Sequence, residues 1–149
     1  MLAAAYVCGA AAAVASAAEH ASGLPLAPVV DVPLPGDTSR FDYESYDASR
    51  HLLFIAHLGQ SEVLVFNTRT QQVVKSIGGL RHVHGVLAIP ELGRVYASAT
   101  GTDEVVAIDE ERLSATDRMP GGTYPDGMAY APLAGKLYVS DEKIGRAHV

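Results

Sequence analysis

From about residue 41 onward, short apolar runs alternate with polar breaks rich in Gly and Pro, and the pattern recurs without a gap every 42 residues. Asp42, His84 and Asp126 stack in this register, as do Ala48, Pro90 and Pro132. Gly59 meets Gly101, Gly93 meets Gly135, Val63/Val65 meet Val105/Ala107, and Asn67 meets Asp109. In the second unit the apolar runs are Val83 to Ala88, Arg94 to Ser98, Glu104 to Ile108 and Leu113 to Met119, with breaks at 90–93, 101–103 and 120–122. Runs of about five β-prone residues between turn formers predict a meander of strands. Four strands in a period of about 40 to 50 residues is the arithmetic of a propeller blade. The fold expected is therefore all-β: an incomplete β-propeller spanning 28–142, with four-stranded blades of about 42 residues at about 41–80 and 83–122, part of another at 125–142, and an outer strand near 28–35.

Each unit also carries an aromatic-led box, Phe54-Ile55-Ala56-His57, Tyr96-Ala97-Ser98-Ala99 and Tyr138-Val139-Ser140-Asp141, followed in the first two units by a Val-x-Val/Ala-x-Asn/Asp strand. A Gly-rich turn precedes each following unit, Gly78-Gly79 before His84-Gly85 and Gly121-Gly122 before Pro125-Asp126-Gly127. Over about residues 28–142 this resembles the YVTN-repeat β-propellers (YncE-like). No box reads the full Tyr-Val-Thr-Asn, so the resemblance implies the propeller type and no narrower subfamily. The chain has no Trp, which argues against a WD-type propeller.

Residues 1–18 are uncharged and alanine-rich, and small residues at 15, 17 and 16, 18 offer cleavage sites just before Glu19. They are expected to be a signal peptide followed by a linker at 19–27, which implies a periplasmic or secreted protein. The chain's single Cys, Cys8, would leave with that signal. At the other end the register is lost after Glu142, and Ile144-Gly145-Arg146-Ala147-His148-Val149 is the translation of a common sequencing-library adapter. Residues 143–149 are thus expected to be a non-native tail, with Lys136 to Ser140 left as an unpaired edge. Of the 149 residues 48% are hydrophobic and 19% charged, the balance of a folded core. A net charge of −6 repels phosphate backbones, so non-specific nucleic-acid binding is not expected, and no membrane span is expected after signal removal.

Nucleophile elbows, phosphate loops, His-Glu-x-x-His and Cys-x-x-Cys motifs are absent. Function is then expected where the fold gathers equivalent positions. The first strand of each blade lines the central channel, so Asp42, His84 and Asp126 are expected at one channel mouth as ligand-binding residues. An imidazole flanked by carboxylates suits a divalent cation, calcium or zinc, or an acid/base group. His82 joins this candidate metal set because i and i+2 of a strand share a face. Arg40 and Tyr124, which match His82 in the register, do not suit a shared metal. His57 reads as an exposed turn residue, Asp109-Glu110-Glu111 as a solvated turn, and Tyr43, Tyr46, Tyr96, Tyr130 and Tyr138 as interblade packing. The expected function is an exported scaffold binding a small molecule or protein at the channel mouth. Alternatives are a metal-assisted hydrolase similar to the gluconolactonase-type propellers, or an accessory propeller of a periplasmic redox system.

Overall fold

The computed structural model describes residues 26–149, so the signal peptide and most of the linker expected from the sequence lie outside the described residues. Three antiparallel sheets follow one another along the chain. The first contains β1 (Glu44–Asp47), β2 (Leu52–His57), β3 (Glu62–Asn67) and β4 (Gln72–Ile77). The second contains β5 (Val83–Ile89), β6 (Arg94–Ala99), β7 (Glu104–Asp109) and β8 (Ser114–Pro120). The third contains β9 (Pro125–Ala131), β10 (Lys136–Asp141) and β11 (Arg146–His148). Each sheet is a simple meander, and each first strand lies along strands of the sheet before it, β5 on β1 and β2, β9 on β5 and β6. These are partial β-propeller blades. Among the described residues, no helix is long and apolar enough to cross a membrane.

The 42-residue register recurs in the backbone. Left-handed residues fall at Ser61, Asp103 and Gly145, at His51, Gly93 and Gly135, at Gln71 and Leu113, and at His82 and Tyr124. These are the turns between strands, where the chain must reverse within a few residues. Gly is most at ease there, yet the set includes His51, Leu113 and Tyr124, so the fold tolerates about 1 kcal/mol or more of local strain at such sites.

Alternation puts one face of β2 and β3 against the opposite face of β6 and β7. Phe54 pairs with Val65 and Ala56 with Val63; across the gap Val95 pairs with Ile108 and Ala97 with Val106. All eight are buried, and with Leu52, Ile77, Leu80, Val83, Val86 and Ala99 they form the core between the first two sheets. The outer strand β8 is exposed along most of its length, whereas the inner strand β5 is buried at most positions. Phe54 is the largest of the fully buried side chains. Phe54→Ala is expected to destabilise the protein by about 3–5 kcal/mol, because the two sheets cannot collapse onto the void. A change in the denaturant midpoint equivalent to less than about 1 kcal/mol would show that this layer is not the principal core.

Three expectations about the strands need correction. Residues 28–35 form no strand; Pro28, Pro33 and Pro35 lack the amide hydrogens a ladder needs. Strand β10 is not an edge, because β11 pairs with it, Val139 opposite His148 and Asp141 opposite Arg146. That pairing has the register of β6 with β7, Ala97 opposite Val106 and Ala99 opposite Glu104, each shifted by the repeat. A ladder is made by backbone groups, so residues 146–148 can occupy the third-strand position without the valines found in the other blades. Tyr43, Tyr46 and Tyr138 are exposed and do not fill the spaces between blades.

Candidate functional site

Asp42, His84 and Asp126 sit at equivalent points of the three sheets, just before or within their first strands. Asp42 donates its amide to the Ala56 carbonyl (2.9 Å), and Tyr43, next along, reaches the His84 carbonyl (3.4 Å). Asp126 lies within β9 and is not confined to a turn. Its carbonyl accepts the Ser98 hydroxyl (2.8 Å), and the same hydroxyl accepts the Gly85 amide (2.6 Å). Thr100 adds a second hydroxyl bond, to the Pro125 carbonyl (2.5 Å). One inner strand is thereby clamped to the next.

The side chains at this end are linked as well. Arg40 forms an ion pair with Asp42 (2.9 Å). His84 is buried, and its Nδ1 lies 2.8 Å from the His82 carbonyl. A carbonyl only accepts, so Nδ1 carries a hydrogen, and Nε2 is the ring nitrogen left for another partner. The Tyr124 hydroxyl stands 3.5 Å from that Nε2, with the two ring centroids 5.4 Å apart. Lys143 Nζ lies 4.5 Å above the other end of this group, over the Tyr124 ring.

Asp126 is the electrostatic centre. Burial raises its pKa above the ordinary carboxylate value, His84 opposes the rise, Glu142 and Asp42 add to it, and Arg40 opposes it. Two of the residues singled out from the register, Asp42 and His84, thus bear on the third. One Asp126 oxygen, Oδ1, is buried and has no hydrogen-bond partner. A buried acceptor left bare costs about 1–3 kcal/mol, so a group donating to it would find its desolvation already met.

His82 departs from expectation. It is exposed, has φ of 48°, and ends the connection before β5, so strand alternation does not bring it to the face of His84. It contributes its carbonyl. Among the described residues, no three His, Cys, Asp or Glu side chains stand close enough to hold one metal ion.

Two polar clusters were misjudged from the sequence. His57 is fully buried: its Nδ1 lies 3.2 Å from Glu62, its Nε2 3.3 Å from the Ser39 hydroxyl, and Phe41 stacks on it at 4.0 Å. Ser39, His57 and Glu62 are thus ordered like a nucleophile, base and acid. However, the one Ser39 hydroxyl proton goes to Asp37, whose pKa is lowered chiefly by that bond. Toward His57 the Ser39 oxygen can then only accept, so the cluster holds segment 36–41 on the first blade and does not prime an attack. The second cluster is Asp47, Arg50 and Glu110. Glu110 is buried, not solvated, and Arg50 reaches both carboxyls at 3.2 Å. Neither burial shows in the residue types; both arise because a turn of one blade is covered by another segment.

No family model and no curated protein matches the chain. Solved structures do. Hydrazine synthase of Kuenenia stuttgartiensis superposes with a TM-score of 0.60 at 22% identity, covering 65% of this chain and 28% of that one. Sqt1 of Saccharomyces cerevisiae superposes with a TM-score of 0.56 at 14% identity, covering 74% of this chain and 31% of that one. Identities this low speak for the fold alone, which is β-propeller-like, and the chain spans less than a third of either structure.

Proposed function

We propose that the chain is part of an exported propeller of the YVTN-repeat type that binds a ligand or partner at the channel mouth formed around Asp126. The observation that carries this reading is the bare, buried Oδ1 of Asp126 in a group that also contains Asp42 and His84. The ligand's contacting group is a hydrogen-bond donor or a cation, since the oxygen it meets is an acceptor and the neighbouring Asp42 and Glu142 are acidic. Arg40, paired with Asp42, would hold any acidic part of the same ligand away from Asp126. The export reading rests on residues 1–18, and the family reading on the three boxes and the register that links them.

A divalent cation is the narrower version of the same reading; since Asp42, His84 and Asp126 do not stand close enough to hold one ion together, Asp126 would be its anchor and most of its shell would come from elsewhere. The test is calorimetric titration with calcium, zinc and an alkylammonium ion. At least one is expected to bind, and Asp126→Asn is expected to weaken it at least tenfold, because the amide carries no charge. Silence from all three probes, or binding indifferent to Asp126→Asn, overturns the reading.

A further inference from the structure

Segment 36–41 is a strap that wraps the ring of His57, the last residue of β2. Gly36, with φ of 95°, lies so near that a Cβ on it would stand 2.9 Å from Cε1 of the ring. A side chain on Gly59 would run into Ser39, and the bare Gly59 amide donates instead to the Arg40 carbonyl (3.0 Å). Phe41 closes the strap by stacking on one face of the imidazole, within 9° of parallel. Gln60, in the turn after β2, donates to the second oxygen of Asp37 (2.6 Å).

The ring hydrogens follow from the partners. Glu62 Oε1 stands 3.2 Å from Nδ1, and the other oxygen of that carboxylate already takes the Ser76 hydroxyl. The Ser39 oxygen stands 3.3 Å from Nε2 with its own hydrogen committed to Asp37, and an Asp37 oxygen lies 3.7 Å from the same nitrogen. Both ring nitrogens thus face groups that only accept, whereas a neutral imidazole has one hydrogen to give. The charged groups facing the ring are Asp37 from the strap and Glu62 from β3, while the turn and β4 bring to these acids only the neutral Gln60 and Ser76. Among the described residues neither acid is paired with a Lys or Arg. All of these partners lie between residues 36 and 76, so the cluster is complete within one sheet and the strap that precedes it.

We propose that His57 carries a hydrogen on both ring nitrogens, and that its charge latches strap 36–41 to the first sheet until rising pH removes it. When one hydrogen leaves for solvent, a nitrogen lone pair is turned on the oxygen of Glu62 or of Ser39, and the two acids lose the cation between them. The ring is fully buried, so water does not take the place of the lost bond. The latch is therefore closed in acid and opens across the range of pH in which histidines give up their charge. The strap runs straight into Arg40 and Asp42, whose charges bear on Asp126. That last consequence rests on the channel-mouth reading; the latch itself does not.

Nuclear magnetic resonance of the ligand-free chain tests the latch. At pH 5.5 both ring nitrogens of His57 are expected to resonate as protonated nitrogens. Between pH 5.5 and 8.5 exchange of the Gly59 amide, corrected for its intrinsic rate, is expected to accelerate by about tenfold or more, the loss of one charge-assisted bond. The ladder of β2 with β3 should stay protected throughout. His57→Gln is expected to exchange Gly59 rapidly at every pH. Glu62→Gln keeps a partner for Ser76, removes one of the two acids, and is expected to move the transition to lower pH, which guards against a folding defect in the first variant. A single protonated nitrogen at pH 5.5, Gly59 protection that does not change with pH, or a transition that Glu62→Gln leaves in place would each overturn the proposal. None of these readouts depends on binding at Asp126, which the titrations follow separately.

Discussion

Glu110→Gln is expected to raise the unfolding midpoint at pH 8 and to leave it nearly unchanged at pH 4. Glu110 lies against Asp47 with Arg50 between them, and one of its oxygens, Oε1, has no partner. Burial first, then hydrogen bonding to Asp47 and its charge, push the Glu110 pKa up to about 7, with Arg50 opposing. Burial works against ionising Asp47 too, yet bonds from Ser49, Arg50 and Glu110 outweigh it and bring its pKa down to about 2. Between about pH 2 and pH 7 the pair therefore shares one proton, Glu110 being the harder of the two to ionise.

The direction of the pH effect follows. In the unfolded chain Glu110 ionises near 4.5, so between 4.5 and about 7 the folded protein keeps a proton that the unfolded one has lost. Stability falls as pH rises through this window, by about 3 kcal/mol, since each unit is worth about 1.4 kcal/mol. Asp47 acts oppositely: its contribution, about 2 kcal/mol, is present above 3.8 and is lost as pH falls toward 2. Glutamine keeps the donor toward Asp47 and cannot ionise, so the variant should lose the alkaline decline and keep the acid one. Thermal unfolding from pH 3 to 9 reads both limbs. A wild-type midpoint that stays flat from pH 5 to 8 would mean that no proton is shared here.

Gly85→Ala is expected to cost about 3 kcal/mol and to loosen the third sheet before the first two. The added carbon meets the Asp126 carbonyl oxygen and, at 2.9 Å, the Ser98 hydroxyl. The first obstacle is backbone, which no rotamer change relieves, so the third sheet must move outward. Overpacking of this kind costs about 1–3 kcal/mol, and the Ser98 bond to the Asp126 carbonyl, worth about 1 kcal/mol, is lost with it. Hydrogen exchange should accelerate in β9 and β10 while β2, β3, β6 and β7 stay protected. Uniform acceleration, or none, would show that the third sheet is not held through this contact. Gly127→Ala, the same change one repeat later, meets only ordinary contacts, the nearest at 3.5 Å, and is expected to leave stability within about 0.5 kcal/mol of wild type, as surface substitutions away from close contacts usually do.

The contrast between Gly85 and Gly127 shows how far the sequence reaches. Both glycines are visible in the register, and so is the serine thirteen residues after each. That Ser98 holds the Asp126 carbonyl so close that a Cβ on Gly85 would collide with it follows from how the sheets pack, which residue types do not state. The equivalent strand positions of Asp42, His84 and Asp126 were legible because a 42-residue repeat on a propeller turns equal spacing into equal position. His82 was not, since its left-handed backbone places it outside β5 and strand alternation does not apply to it. His57 and Glu110 look like ordinary turn residues; each is buried because segment 36–41 or the Asp47–Arg50 turn lies over it.

By itself, then, the order of apolar and turn residues determined the four strands of each of the first two sheets and the succession of sheets, though not β11 or the absence of a strand at 28–35, because strand formation answers to local alternation and to glycine and proline at the breaks. Which polar groups lose water was decided only in three dimensions. Desolvation depends on what another blade or segment brings to the spot, and that is why the shared proton of Asp47 and Glu110, the clamp on Asp126 and the bare oxygen beside it belong to the tertiary structure.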